Sequence, residues 1–422
     1  MDAAAFRTLF LILFSADALL DILLTALNAR EARRRTVLPE AFRGHFDEET
    51  FSRSRAYSLD KLAFAKFSLA YSVVVNLFIL FSGILPWADR WFRERLGEGA
   101  FSGAAFLLAI MLLHNALTLP FSIYSTFRIE GKYGFNTVTW GLYCRDLLKG
   151  VMLSLIIGYP LLSALLWVVE SAGDFWWLWA FALIAVFQFA MMIVYPAFIA
   201  PLFNRFRPLE EGELKSALLG LAASLRFPAR DIYVMDGSRR SLHSNAYFTG
   251  FGRFRRIVLF DTLLRHLETR ELCGILAHET GHAKLHHLRN TLAVQLFFQA
   301  ALLFLLSLAL QWPPLFQAFG FQEPALAAGM LLFMAVVSTF STWLSPIQNH
   351  FSRLHEYAAD AFALRALRDG ESLQSALIKL SRKNLSNLTP HPWYSLFHYS
   401  HPSLEERLKA ISGAKISDFQ PS

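Results

Sequence analysis

Charge is scarce in this sequence. Asp, Glu, Lys and Arg make up 17% of its 422 residues, where soluble globular chains carry about 25%. Cysteine is scarcer still: Cys144 and Cys273 stand alone and build no disulfide framework, so most of the polar mass is expected in a reducing compartment. No internal repeat or low-complexity tract breaks the chain. Aromatic-interleaved basic clusters are also missing, so the net charge of +7 reads as membrane orientation charge, and no nucleic-acid partner is expected. What fills the chain instead is apolar. Hydrophobic residues reach 55%, with 40 phenylalanines, and the mean hydropathy is +0.37. A soluble fold has too little interior for that surface, which excludes a disordered chain, a small secreted domain and a purely soluble enzyme. A lipid bilayer is the expected surrounding.

A helix crosses a bilayer with about 20 apolar residues. Six stretches qualify: Phe67–Ala88, Phe101–Phe127, Gly150–Val169, Phe175–Pro201, Thr291–Trp312 and Pro324–Gln348. A seventh, about Ala5–Leu27, carries Arg7, Asp17 and Asp21. It lacks a basic leader and a small-residue cleavage site, so it reads as a retained first span and not a removed signal.

Loop charge tests this count. Connections one, three and five hold eight, four and fourteen Lys/Arg, and the tail holds nine; connections two, four and six hold three, none and none. Such alternation predicts seven spans with the N-terminus outside and the C-terminus cytoplasmic. Two polar bodies remain on the cytoplasmic side, residues 205–289 and 350–422. The expected division is therefore a five-span part, 1–204, and a second part, 205–422, with two further spans at about 291–312 and 324–348. Within the second part, Asp231–Met235 and Arg255–Phe260 read as strands, with a turn at Gly250 and Gly252. Thr262–Leu267 and Leu272–Leu288 read as helices, the latter capped by Thr269 with Glu271 in its first turn.

The chemistry concentrates in His278-Glu279-Thr280-Gly281-His282, an H-E-x-x-H motif. Residues four apart share a helical face, so both imidazoles can reach one zinc ion. Glu279 is turned about 100° away and can address a water beside the ion. His286 lies two turns from His278 on the same face, too far to converge on that ion. Leu285 and Leu288 stand where a metzincin needs Gly and His. A third ligand must come from a second helix, and His355-Glu356-Tyr357-Ala358-Ala359-Asp360 follows the last span. Glu356 would complete a His₂Glu site, one zinc per chain, and Asp360 would orient His282 or His278. The same spacing also suits a solvated acidic face.

These motifs resemble those of the type I CAAX prenyl protease family, membrane gluzincins of the yeast a-factor-processing type. The resemblance extends to Ala200–Phe206, Ser244–Gly250, Ser400–Leu408, Ile129–Asn136 and Tyr57–Lys61, and so to nearly the whole chain. It implies a mainly α integral membrane protein whose seven transmembrane helices enclose a chamber, with a cytoplasmic gluzincin zinc-protease domain containing a small β-sheet. It implies that His278, His282 and Glu356 hold the zinc and that Glu279 is the catalytic acid/base. Asn245, Ala246 and Tyr247 match an edge strand on which the peptide lies, and His401 and Arg407 a pair facing the scissile carbonyl. By residue type alone, His401 also reads as a loop histidine beside Pro402, and Arg407 as a surface charge. The implied function is cleavage near the C-terminus of prenylated or other membrane-associated peptides. The short even-numbered connections suit a bacterial inner membrane, or the endoplasmic reticulum in a eukaryote.

Other readings compete. A quality-control protease of the HtpX type shares the motif but lacks most of the five-span half. A site-2-type protease would bury the motif in an apolar span, which Lys284, His286, His287 and Arg289 oppose. A transporter or scaffold with a vestigial site is opposed by the intact donor set.

Overall fold

The computed structural model describes residues 1–227, 231–249 and 256–413. Helices dominate it. The membrane part opens with α1 (Ala3–Arg34), α2 (Glu48–Phe81), α3 (Ile84–Leu96) and α4 (Ala100–Ile123). It continues through α5 (Trp140–Leu153), α6 (Tyr159–Ser171), α7 (Trp176–Val194) and the short α8 (Ala200–Phe203). Wider π-type turns at Tyr124–Glu130, Ser154–Gly158 and Tyr195–Ile199 extend α4 and link α5 to α6 and α7 to α8. Prolines accompany these segments, Pro120 inside α4 and Pro196 in the last of them, and each removes a backbone donor that the wider turn accommodates.

Next come β1 (Phe206–Pro208), α9 (Glu213–Ser224), β2 (Ile232–Met235), β3 (Ala246–Thr249), β4 (Arg256–Phe260) and α10 (Asp261–Leu264). After them α11 (Thr269–Lys284), α12 (His287–Ala309), α13 (Pro313–Gln317), α14 (Leu326–Ser338) and α15 (Ser341–Leu367) lead into the tail helices α16 (Glu371–Lys383), α17 (Pro392–His398) and α18 (Leu404–Gly413). Both predicted strands are present as β2 and β4; the turn at Gly250 and Gly252 lies outside the described residues.

Among the described residues six helical stretches are long and apolar enough to span a membrane, and α14 with α15 makes a seventh, bent by 67° at the break between them. Two expected spans therefore change shape. The second was placed at Phe67–Ala88, yet α2 starts at Glu48 and stops at Phe81, because Gly83 takes φ +83° and turns the chain into α3. The last is not one straight helix but two. Only 11–22% of each span's most apolar window is buried by protein, so most of it faces lipid or an enclosed space. Outward phenylalanines such as Phe67, Phe101, Phe198 and Phe297 are exposed, as a lipid contact requires.

The spans close on one another at one end, where Phe10, Phe106, Leu166, Phe316 and Leu332 are fully buried together. The polar part sits at the other end. Its sheet has the order β1-β2-β4-β3, with β2 and β4 parallel and the outer pairs antiparallel. Leu218, Ile232, Leu263 and Leu272 seal it against α9 and α11. A third core, Phe42, Phe46 and Phe51 against Ile378 and Leu404, fastens the first connection to the tail.

Candidate active site

Helix α11 carries the H-E-x-x-H segment, and its start is fixed locally. Glu268, not Thr269, is the N-cap, and Glu268 and Glu271 form a reciprocal capping box. Glu271 is fully buried and receives the Ser375 hydroxyl and the Lys379 ammonium from α16, the latter at 2.7 Å. Burial pushes the Glu271 carboxyl up, but these donors outweigh it and hold the group below the usual carboxylate range. The helix ends at Lys284, four residues short of the predicted Leu288, because His286 adopts φ +58°. That left-handed turn starts α12 in a new direction and leaves His286 exposed.

Two glycines let neighbours approach α11. A Cβ on Gly274 would stand 3.0 Å from the Leu373 backbone nitrogen, and one on Gly281 would stand 3.1 Å from the Ala359 Cα. Gly281 sits inside the motif, so α15 can press against it and bring its acidic residues over the two histidines. His278 Nε2 and His282 Nε2 lie 3.2 Å apart. Glu356 Oε1 is 3.3 Å from His282 Nε2, and Oε2 is 3.6 Å from His278 Nε2. One donor atom from each residue falls within 4.8 Å of the others. The acidic face on α15 is thus buried, with Glu356 and Asp360 at 5% and 2% exposure, and is not the solvated face that its spacing also allowed.

Asp360 settles on His278: Oδ1 is 2.8 Å from Nδ1. That contact keeps the proton on Nδ1 and leaves Nε2 as a lone-pair donor. His282 has a different partner, His287 Nδ1, 3.0 Å from its own Nδ1. His287 in turn stacks on His355 at 4.0 Å between ring centroids. The sequence pattern did not mark His287 or His355 as neighbours of the motif histidines; for His287 the left-handed turn at His286 is what aims it back at the motif.

Arg407 reaches the site from α18. A Ser403–Glu406 capping box starts that helix, with the Ser403 N–H donating to Glu406 Oε2 at 2.7 Å and the Glu406 N–H to the Ser403 hydroxyl at 3.4 Å. The Arg407 guanidinium donates from Nε to Asp360 Oδ2 at 2.9 Å, and its Nη1 is 3.5 Å from Glu356 Oε2. It is no surface charge. His401 Nε2 lies 3.4 Å from Glu356 Oε1 on an exposed side chain. Glu279 is half-buried beside these groups, and burial raises its pKa above the ordinary carboxylate range.

This donor set suits a divalent cation. The Nε2 atoms of His278 and His282 face each other at 3.2 Å, close enough for one ion to be bound by both at ordinary metal–imidazole distances. Glu356 Oε2 is buried with no hydrogen-bond partner among the described residues. Three carboxylates, Glu279, Glu356 and Asp360, face one guanidinium, Arg407, so ionised they leave two negative charges in a poorly solvated place.

Asn245, Ala246 and Tyr247 lie apart from this cluster, at the start of β3, which is an edge strand of the sheet and packs against α11. The Asn245 side chain accepts from the Ala246 N–H at 2.8 Å.

Comparison with known proteins covers both halves. The family model described as CAAX prenyl protease N-terminal, five membrane helices, matches residues 28–205, and that for peptidase family M48 matches residues 208–415. The CAAX prenyl protease 1 homolog of Oryza sativa subsp. japonica is 40% identical over 94% of this chain and 95% of its own length. The CAAX prenyl protease 1 of Saccharomyces cerevisiae is 35% identical over 89% of this chain and 88% of its own. The crystal structure of S. mikatae Ste24p superposes with a TM-score of 0.91 at 32% identity, covering 96% of this chain and 98% of that one.

Proposed function

Because the chain belongs to peptidase family M48, in its CAAX prenyl protease branch, and is therefore a multi-pass membrane metalloendopeptidase, we propose that it binds one zinc through His278, His282 and Glu356. The HtpX-type reading is not favoured, since the five-span half is matched as well. The observation that carries the proposal is a buried Glu356 oxygen that accepts no hydrogen bond among the described residues, set beside two imidazole nitrogens 3.2 Å apart.

When bound there, zinc acidifies water and polarises a carbonyl. The chain supplies the rest. Asp360 and His287 hold the two imidazoles in the ligating tautomer. Glu279 takes the proton of the attacking water and delivers it to the departing amine; its raised pKa suits both transfers. Arg407, with His401, presents positive charge and donors to the oxygen that gains charge. Asn245–Tyr247 hold an extended peptide by its backbone, so side-chain selection is loose.

The substrates we propose are prenylated or otherwise membrane-associated peptides cut near their C-termini. The support is the name of the relatives and the position of the donor cluster at one end of an apolar bundle. The N-terminus is then outside and the site cytoplasmic, in a bacterial inner membrane or in the endoplasmic reticulum of a eukaryote. The chain divides, in this reading, into a five-span body, 1–204, and a peptidase part, 205–422.

Two measurements test the proposal. Metal analysis should find one zinc per wild-type chain and little in Glu356→Ala; undiminished zinc affinity in that variant removes Glu356 from the ligands. Mass spectrometry of a farnesylated CAAX peptide and its unprenylated twin should show cleavage of the first. Cleavage of neither overturns the substrate class.

A further inference from the structure

Strand β3 is short, and among the described residues the sheet holds it from one side only. Its register with β4 pairs Ala246 with Leu259 and Tyr247 with Val258, and the Phe260 N–H donates to the Asn245 carbonyl at 3.2 Å. Antiparallel alternation then turns the backbone of residues 245, 247 and 249 toward β4 and that of 246 and 248 toward the open edge. A four-residue strand with one partner can slide, and a slip changes which groups the open edge presents.

The irregular stretch just before it, residues 241–245, is tied from several directions. The Leu242 N–H donates to the Phe135 carbonyl at 3.0 Å. The Thr262 hydroxyl donates to the His243 carbonyl at 3.1 Å. The Asn384 amide takes both bonds of Ser244, accepting from its N–H at 3.1 Å and donating to its carbonyl at 3.4 Å, as a neighbouring strand would. The His243 ring lies on Phe135 with centroids 4.0 Å apart, and its Nε2 is 3.1 Å from Glu130 Oε2. The other Glu130 oxygen receives the Tyr57 hydroxyl at 2.6 Å. A half-buried carboxylate is costly unless it is used, and nothing in the hydrolytic site uses Glu130.

We propose that Glu130, His243 and Asn384 are positioning residues that lock the register of the β3 edge, so that the five-span body and the tail together select which peptide bond meets Glu279. The inference rests on the reading of β3 as the substrate edge. It gives the spans a role in cleavage fidelity besides enclosure. It also explains why anchors from α2, the end of α4 and the end of α16 converge on a stretch whose own secondary structure is an isolated bridge from Ser241 to Asn136.

The test uses the full chain in detergent and whichever of the two peptides above it cuts, with products identified by mass spectrometry. Glu130→Gln and Asn384→Ala should keep their metal, raise KM more than they lower kcat, and increase the share of cuts at neighbouring bonds on the order of tenfold, the loss of one or two anchoring hydrogen bonds. Tyr57→Phe, which removes one hydroxyl, replaces Glu130→Gln if that variant does not accumulate. Slower cleavage with an unchanged product ladder in both positions overturns the proposal, and so does no change at all. Ala246→Pro, which removes an open-edge N–H bonded to the Asn245 side chain and not to β4, serves as the control. If it cuts like wild type, the substrate-edge reading itself fails. If it is inactive while the other ladders stay unchanged, only the register role fails.

Discussion

Gly281 lies so close to Ala359 that a Cβ added to it would meet the Ala359 Cα at 3.1 Å and the Phe362 Cβ at 3.1 Å. The first neighbour is backbone and cannot swing aside. Overpacking of this kind costs about 1–3 kcal/mol, and here the shift would pull α15, with Glu356 and Asp360, off the two histidines. Gly281→Ala should therefore weaken zinc binding by about tenfold, and Gly281→Val should lose it at ordinary zinc levels. Chelator competition on the purified variants measures this. Equal zinc affinity in Gly281→Val would show that the helix contact does not set the site.

Glu279→Gln should keep zinc and fold yet lose turnover by a factor of about 10² to 10⁴, the usual contribution of a general base. The stability sign follows from the raised pKa. Folding penalises the ionised carboxyl at pH above the ordinary carboxylate range and not below it. The neutral amide carries no such penalty, so the metal-free variant should melt no lower than metal-free wild type at pH 7. A kcat near the wild-type value would remove Glu279 from proton transfer.

The sequence made the grouping of His278, His282 and Glu356 legible because its determinants are local: four-residue spacing on α11, and again on α15. Loop charge also predicted seven spans, against six straight ones and a bent seventh among the described residues. What it hid depends on direction. Asp360 was read as a partner of His282 or His278, and only the packing of α15 on Gly281 selects His278. The aim of His287 depends on one left-handed residue, His286, which a straight-helix reading cannot anticipate. The bend between α14 and α15, and the early stop of α2 at Gly83, likewise arise from single backbone positions inside runs whose apolar composition continues unbroken.

Glu271 anchors the N-terminal end of α11 to α16. Removing it leaves the Glu268 N–H without its acceptor and Lys379 with the Glu268 carboxylate at 3.3 Å. Lys379 is partly exposed, so the loss is moderated by solvent, and Glu271→Ala should cost about 1–3 kcal/mol. Its carboxyl is held below the ordinary value of 4.5. Its contribution is therefore complete above that pH and disappears as the pH falls through the lowered pKa. Thermal melts should show the gap between wild type and Glu271→Gln closing as the pH is lowered below about 4. A gap that stays constant would mean that the ion pair contributes nothing.

The orientation of the chain can be tested independently of its activity. Charge alternation places connections one, three and five and the tail on one side, and the fold agrees internally, since the first connection packs on the tail through Phe42, Phe46 and Ile378. Arg240 joins the third connection to the fifth, with its Nη2 2.8 Å from Asp146. These segments must share a face of the membrane, whichever face it is. The positive-inside rule predicts the cytoplasmic one. Cys144 is exposed and Cys273 partly so, hence the labelling needs a background in which both are replaced. A single cysteine in place of Arg239, in a short turn on the polar side of the molecule, should react with an impermeant maleimide in inside-out vesicles and be silent in right-side-out ones. The opposite pattern would put the metal cluster outside, and peptides would then have to reach it from the extracytoplasmic side.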